Sequence, residues 1–340
     1  MDATKKESLA PTPRSRGDAP FKPGRCPICS GRLMAAPGQY TPAEVLAQWA
    51  RSGQSFPQDV HDTFAAYAPT TLHRCDHCGC GFFRPAWAAS AAFYDALQTD
   101  SATYYLEEKW EYRRALRQVQ AGDRVLDIGC GAGFFLELAR KRGAIGVGIE
   151  TAPSARAQAV SRGFEVHDAD VAEASAQIGQ NFDVVCAFQV LEHVPDPVAF
   201  AQAMADRARP GGTLILAVPN AEGSLRWVRN LTSNVPPHHL TTWTDIALLA
   251  LAARLGLRVI EIAYEPLDMV HHWDHLAGWW TNVVLRGRGA DDPAYTPAGF
   301  LRMVGRLSCR TAAKTATRAG ILTIPWIRGH TVAVTLRKIG

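Results

Sequence analysis

The stretch Asp127-Ile-Gly-Cys-Gly-Ala-Gly-Phe-Phe135 decides how this chain is read. It lies between the apolar pair Val125-Leu126 and a helix-like run, FLELARKRG, at 135–143. Three alternating glycines between a strand and a helix imply that something approaches the backbone too closely for a Cβ. Outward from this turn, strand-like and helix-like runs alternate from residue 123. The strand-like runs are 124–129, 144–150, 164–170, 182–188 and 213–219. Between them lie FLELARKRG, PSARAQAVSRG, VAEASAQIG and DPVAFAQAMADRAR, each with helical spacing. After a loop come a helix, TDIALLALAARLG, a strand, LRVIEIAY, and a last strand at 330–338. The pattern predicts a parallel, doubly wound α/β sheet with ligands at the carboxyl ends of its strands.

Composition narrows the function classes. With 340 residues, 47% of them hydrophobic, the chain can bury a large core and hold more than one domain. A net charge of +4 without a basic block interleaved with aromatics argues against nucleic acid as partner. No apolar run reaches the roughly 18 residues of a membrane span. The first 24 residues carry Pro, Lys, Arg and Ser but no apolar segment, so they read as a disordered tail rather than a secretory signal. The expected location is cytoplasmic, where the eight cysteines stay reduced.

Four of those cysteines form two knuckles. Cys26-Pro-Ile-Cys29 and Cys75-Asp-His-Cys78 are each followed closely by a glycine, Gly31 and Gly79. Two such turns offer the four soft ligands of a closed, structural zinc site. Residues 30–74 separate them, a long interval whose TPAEVLAQWARSG and PQDVHDTFAAYA read as a helical insertion. His77 or Cys80 could replace Cys78, although Cys80 breaks the knuckle spacing. Cys130, Cys186 and Cys309 stand alone and read as small apolar filler. Beyond the second knuckle, PAWAASAAFYDALQ and YYLEEKWEYRRALRQV have helical periodicity and no strand signal, and form a connector.

The glycine spacing separates two classes of ligand. A dinucleotide fingerprint requires G-x-G-x-x-G. Here Gly129, Gly131 and Gly133 follow G-x-G-x-G, and Phe134 takes the place of the third glycine. Glu150 ends the second strand, where a carboxylate can accept both ribose hydroxyls. With VLDIGCGAGFFLELA, GVGIE, HDADV, FDVVCAFQVLEHVPDP, RPGGTLILAVPN, PPHHLTTWT and the terminal GHTVAVTLRK, the chain resembles the class I S-adenosylmethionine-dependent methyltransferases. The resemblance implies a Rossmann-like sheet of seven strands and an enzyme that uses S-adenosylmethionine. It implies that Gly129, Gly131 and Gly133 wrap the methionine moiety, that Asp127 orients its amino group and that Glu150 holds the ribose. It places Asp170 on the adenine amino group, with Asp168 as the alternative, and Gln189 beside the sulfonium.

QVLEHVPDP sets Glu192 and His193 at the end of the fourth strand. Family members of the ubiquinone-pathway type bind a divalent ion through Glu-x-x-Glu-His. Here Gln189 replaces the first Glu and removes a charged ligand for a hard cation. His238 or His239 of PPHHL could complete such a site. The preferred expectation is a general base at His193 or His239, beside Glu192, because an imidazole titrates near neutrality. The bland alternative for His193 is a histidine capping the start of a helix. For the acceptor, His271-His272-Trp273-Asp274-His275 and Trp279-Trp280 suit a carbohydrate or aromatic ring, or pack a helical lid.

The expected organisation is a tail at 1–24, a zinc module at 25–84 and a connector at 85–122, followed by a methyltransferase core at 123–264. A helical insertion at 265–329 and a last strand at 330–340 complete it. The expected function is methyl transfer to a small-molecule acceptor, a sugar hydroxyl, with zinc as a structural ion. The alternatives are a zinc-module methyltransferase of ribosomal RNA, a phenolic O-methyltransferase and a non-catalytic scaffold. Oligomeric state stays open.

Overall fold

A computed structural model of the chain describes residues 24–51, 53–87, 89–100, 107–169, 171, 178–223, 232–268, 311, 315 and 323–339. Behind the first knuckle comes β1 (Leu33–Ala35), then α1 (Pro42–Arg51) and α2 (Gln58–Ala65). Thr41 and Glu44 start α1 as a capping box. Glu44 Oε2 accepts from the Thr41 amide at 3.0 Å, and Thr41 Oγ1 accepts from the Glu44 amide at 3.3 Å. Next come β2 (Thr71–Cys75), β3 (Gly81–Arg84), α3 (Ala91–Asp100) and α4 (Trp110–Ala115). The helical insertion between the knuckles is therefore present, but the segment also contains strands that the sequence pattern did not announce. The reason is their length, three to five residues, too short for period-two alternation to register.

The second half of the chain alternates as expected. β4 (Arg124–Ile128), α5 (Phe134–Lys141), β5 (Ile145–Ile149), α6 (Pro153–Ser161), β6 (Glu165–His167), β7 (Phe182–Phe188), α7 (Pro197–Arg207) and β8 (Ala208–Pro219) follow in order. Then come β9 (Thr241–Thr242), α8 (Asp245–Arg254), β10 (Leu257–Asp268) and β11 (Thr323–Lys338). Seven strands share one sheet in the order β10-β11-β8-β7-β4-β5-β6. Alternate residues of its central strands enter opposite layers. Leu126, Val185 and Leu214 pack with Met204 on one face, and Val125, Val184 and Ile215 pack with Phe135 on the other. Helices cover both faces for that reason.

Three expectations need correction here. The stretch expected as a helical insertion at 265–329 has strand at both ends, because β10 runs on to Asp268 and β11 starts at Thr323, where Asp268 pairs with Thr323. The sheet is not wholly parallel: β11 runs antiparallel to both β8 and β10. Val332, Val334 and Leu336 are buried on one side and Ala333 and Thr335 on the other, a two-faced burial that is also the mark of a parallel strand. The third strand-like run is shorter than 164–170, since β6 ends at His167, and Asp170 lies outside the described residues. So do His271–Trp280, Cys309 and residues 172–177 of the VAEASAQIG run.

The N-terminal sheet is not self-contained. Its order is β1-β2-β3-β9, so its fourth strand is supplied by residues that follow PPHHL. Gly81 pairs with Thr242 and Phe82 with Thr241, antiparallel. Behind it, Val45, Trp49, Val60, Phe64, Trp87 and Phe93 form a separate apolar cluster.

Strand order reverses between β4 and β7, which places a crevice at their carboxyl ends. The chain leaves β7 through a single turn of 3-10 helix, Leu191–His193, and enters α7 at Asp196. The Asp196 carboxylate accepts from the amides of Val198 and Ala199 at 3.1 and 3.0 Å, and Pro197 presets the first helical residue. Replacing this cap, Asp196→Ala, is expected to lower the unfolding free energy by about 1 kcal/mol, with Asp196→Asn retaining most of it. Chemical denaturation of the two variants measures this, and an unchanged midpoint for the alanine would contradict it.

Candidate functional site

The four knuckle cysteines converge. Cys26 Sγ lies 3.7 Å from Cys78 Sγ and Cys29 Sγ 3.4 Å from Cys75 Sγ, and all four sulfurs fall within 4.8 Å of one another. Neither His77 nor Cys80 belongs to this group. The turns aim backbone at sulfur: the amides of His77 and Cys78 both donate to Cys75 Sγ at 3.4 Å. A Cβ on Gly31 would stand 2.7 Å from Cys75 Sγ, which explains the glycine beyond the first knuckle. The hydrogen bond from Cys78 holds the Cys26 thiol down at about 5, while the same contact and burial push Cys78 up.

The glycine turn closes on the end of β5. The amides of Gly129 and Cys130 both donate to the Ile149 carbonyl, at 2.8 and 3.0 Å. Glu150 then binds the turn from outside, with Oε2 accepting from the Gly131 amide and Oε1 from the Ala152 amide, each at 2.8 Å. The three glycines have φ of +72°, +53° and +82°, backbone that other residues rarely adopt. Space adds a second constraint. A Cβ on Gly129 would lie 2.5 Å from Val190 Cγ2, and one on Gly133 would lie 3.1 Å from the Phe164 ring. Close packing of the protein against itself thus accounts for two of the glycines.

A cavity of about 530 Å³ opens at the crevice. Its floor is Ile128, Gly129 and Cys130, and Ile149 and Glu150 form one edge. Gln189, Glu192 and His193 come from the turn after β7, and His238 and His239 from the loop before β9. Gln189 has φ +59°, and its side-chain amide donates to Glu111 Oε1 and Thr331 Oγ1, both at 3.5 Å.

Three imidazoles meet a buried carboxylate in this cavity. The ring centres of His193, His238 and His239 lie 4.6 to 4.9 Å apart. His193 Nδ1 is hydrogen-bonded to the His238 carbonyl, and His238 Nδ1 to the Ser233 carbonyl at 2.8 Å. A carbonyl only accepts, so both Nδ1 atoms carry the proton and both Nε2 atoms present lone pairs. Glu192 is 1% exposed and neither of its oxygens has a hydrogen-bond partner. Its Oε1 stands 3.7 Å from His193 Nε2 and 3.9 Å from His239 Nε2. Burial disfavours every charge here. It pushes Glu192 up to about 8, holds His193 at about 3 and His238 at about 4, and holds His239 well below its ordinary value. One nitrogen from each histidine lies within 4.8 Å of the others, a spacing that a metal ion could span.

Of the residues singled out from sequence, Gly129, Glu150, Gln189, Glu192, His193 and His239 face this cavity. Asp127, Gly131 and Gly133 lie off its lining. Asp127 is 1% exposed, and burial pushes its carboxyl up to about 8 against the opposing effect of the Cys186 thiol and Lys109. Asp168 pairs with Arg156 at 2.8 Å. Sequence reasoning missed Tyr94 and Lys109, which line the cavity from the N-terminal helical segments, and His330, which enters it from β11. Tyr94 and Lys109 belong to no motif; His330 lay within the quoted GHTVAVTLRK without an assigned role.

The double constraint on Gly129 generates a test. Gly129→Ala should lose about 2–4 kcal/mol of unfolding free energy, from left-handed strain and the Val190 clash together. Adding Val190→Ala should return only the steric part, a coupling of about 1–3 kcal/mol between the two sites. Urea denaturation of the singles and the double reads this directly, and additive effects would contradict it.

Residues 103–262 match a family model described as a methyltransferase domain. The ubiquinone biosynthesis O-methyltransferase of Salmonella arizonae is 35% identical over 168 residues, covering 43% of this chain and 67% of that protein. Its counterpart in Salmonella newport is 34% identical over the same shares. Among solved structures, a SAM-dependent methyltransferase from Archaeoglobus fulgidus overlaps 66% of this chain and 90% of its own at 19% identity, with a TM-score of 0.45. The Salmonella relatives carry the assignment: the chain belongs to the class I S-adenosylmethionine-dependent methyltransferases.

Proposed function

We propose that this enzyme methylates a hydroxyl of a small ring-bearing acceptor, a sugar hydroxyl, within the cavity at the ends of β4 and β7. The observation that carries this reading is that Gly129 of the glycine turn, Glu150 and the Glu192–histidine cluster line one cavity. Bound S-adenosylmethionine supplies a methyl group on a sulfonium, already activated as a leaving group. The backbone of Gly129 and the Glu150 carboxylate border the proposed cofactor pocket, and Gly131 and Gly133 shape the turn beneath it. Asp127, buried under that turn, is the proposed partner of a cationic amino group. Gln189 is the proposed neighbour of the reacting centre, with its amide already fixed by Glu111 and Thr331. The described residues contain no helix long and apolar enough to cross a membrane.

For the acceptor hydroxyl, the chain must provide alignment and a place for a proton. His193 is suited to the second task, because its Nδ1 proton is fixed on the His238 carbonyl and Nε2 is then the nitrogen that can take a proton. His239 faces the same carboxylate. Burial disfavours both charges, so an imidazolium formed when either ring accepts the hydroxyl proton would be stabilised by Glu192 only in its ionised form. A second reading is favoured by one observation: one nitrogen from each of His193, His238 and His239 lies within 4.8 Å of the others, beside the unpartnered carboxyl of Glu192. A divalent ion would be held there by His193, His238 and His239, with Glu192 as a further candidate, and would acidify the hydroxyl. A phenolic acceptor is the second reading of the substrate, supported by the names of the Salmonella relatives and by the aromatic wall at Tyr94 and Phe200.

In the same proposal, Cys26, Cys29, Cys75 and Cys78 hold a structural zinc ion away from the methyl. A tetrahedral site with Zn–S near 2.3 Å has sulfur–sulfur edges of roughly 3.8 Å. The 3.7 and 3.4 Å separations fit that edge.

Two measurements test the proposal. Calorimetry with S-adenosylhomocysteine should show binding, NAD should show none, and Glu150→Ala should weaken the former by about 1.5–3 kcal/mol. In a turnover screen of nucleotide sugars, glycans and phenolic acids read by mass shift, His193→Ala or His239→Ala should lower the rate by about 10²–10⁴ with product affinity nearly intact. A chelator that leaves the thiolate ion in place should not change turnover. Activity lost on chelation and restored by magnesium or manganese would replace the base by the metal reading.

A further inference from the structure

We infer that the knuckle module is the positioning element for the histidine loop, acting through Thr244 and the β3–β9 pairing rather than standing apart as a stabilising appendage. The contacts form a continuous path. Cys78, the last residue of the second knuckle, accepts through its carbonyl from Thr244 Oγ1 at 2.7 Å. The Phe83 amide donates to the Leu240 carbonyl at 3.0 Å, directly after His238-His239. The Leu240 amide donates the other way, to the Glu192 carbonyl at 2.7 Å. The loop is therefore gripped by the module on one side and by the turn that carries Glu192 and His193 on the other.

Side chains repeat the arrangement. Trp49 of α1 and Phe93 of α3 set their rings against His238, at 6.1 and 6.3 Å between centres. Tyr94 meets both His193 and His238 edge-on or tilted, at 5.7 and 6.2 Å. These residues build the wall that leaves His238 and His239 only 8% and 6% exposed. Catalytic alignment tolerates little displacement. A module that fixes both the backbone register and the ring orientation of this loop sets how well the site can act, although none of its cysteines touches the cavity. Thr244 is the link to break, because it is a single hydroxyl that joins the knuckle to the loop and is 5% exposed.

The inference rests on the proposed place of these histidines in the reaction, but its test reads the loop independently of catalysis. Thr244→Val leaves all four cysteines, so the purified full-length variant should keep the parent's zinc content and bind S-adenosylhomocysteine normally. Segment-resolved hydrogen exchange should show 235–243 opening about tenfold more readily, as expected for one lost buried hydrogen bond. Carbethoxylation of His238 and His239 by diethylpyrocarbonate, mapped by mass spectrometry, should quicken in parallel. Turnover, once an acceptor is known, should fall in kcat with little change in the KM for S-adenosylmethionine. Thr244→Ser, which keeps the hydroxyl, should restore exchange and histidine reactivity. Thr244 Oγ1 also accepts from the Ala247 amide as the cap of α8. Faster exchange confined to 245–254, with 235–243 and the histidines unchanged, would reduce Thr244 to a cap and overturn the inference. Cys26→Ser, or zinc removal from the parent, should enlarge the same two signals; histidines as protected without zinc as with it would overturn the inference as well.

Discussion

The Leu240 amide donates to the Glu192 carbonyl while its own carbonyl accepts from Phe83, so one residue ties the edge of the N-terminal sheet to the turn after β7. The site depends on that double attachment. Neither sheet alone places His238 and His239 beside Glu192 and His193. The seven-stranded sheet supplies the crevice by reversing strand order between β4 and β7, and the smaller sheet closes it by borrowing β9. Buried apolar contacts run from the knuckles and Phe82 into the core of the larger sheet, and these few directional bonds with Thr244 add register to that packing.

Burial of its side chains governs the chemistry in the crevice. A carboxylate and three imidazoles within a few ångströms would exchange protons freely in water. Burial instead pushes Glu192 toward its protonated form and the imidazoles toward their neutral form. A buried carboxyl without hydrogen-bond partners is costly, and the cost is relieved by whatever completes the site. Both mechanistic readings use that property. In one, the cluster receives the proton of the acceptor hydroxyl; in the other, it receives a cation. The Nδ1 protons pinned on backbone carbonyls orient the lone pairs for either outcome.

The core of the fold was legible because its signals are local. DIGCGAGFF marks a strand-to-helix turn, and runs such as VLDI and FDVVCAF are too apolar to be anything but interior strands. The knuckles were equally plain, since C-x-x-C followed by glycine describes one turn, and Gly31 proves to need its bare backbone for Cys75 Sγ. Strand direction was not legible: Val332–Leu336 is buried on both faces whichever way it runs. GFFR was missed because all but its last residue is buried, leaving no polar alternation. The glycines were assigned to a ligand, yet Val190 and Phe164 occupy the space of two missing Cβ atoms, a tertiary contact no local pattern contains. Tyr94 and Lys109 reach the cavity only because the N-terminal segment folds back over the crevice. PPHHL was singled out as facing the site, but the meeting of both its histidines with His193 is a product of the β3–β9 pairing.

The most direct measurement is the distance between the reacting methyl and the histidine cluster. S-adenosylmethionine labelled with carbon-13 at its methyl group can be bound to the full-length protein and observed by isotope-filtered nuclear Overhauser spectroscopy. Magnetisation transfer from that methyl to the ring protons of His193 or His239, lost in the corresponding alanine variants, is the predicted result. A bound methyl that transfers only to protons remote from this cavity, with the histidine rings silent, would contradict the account.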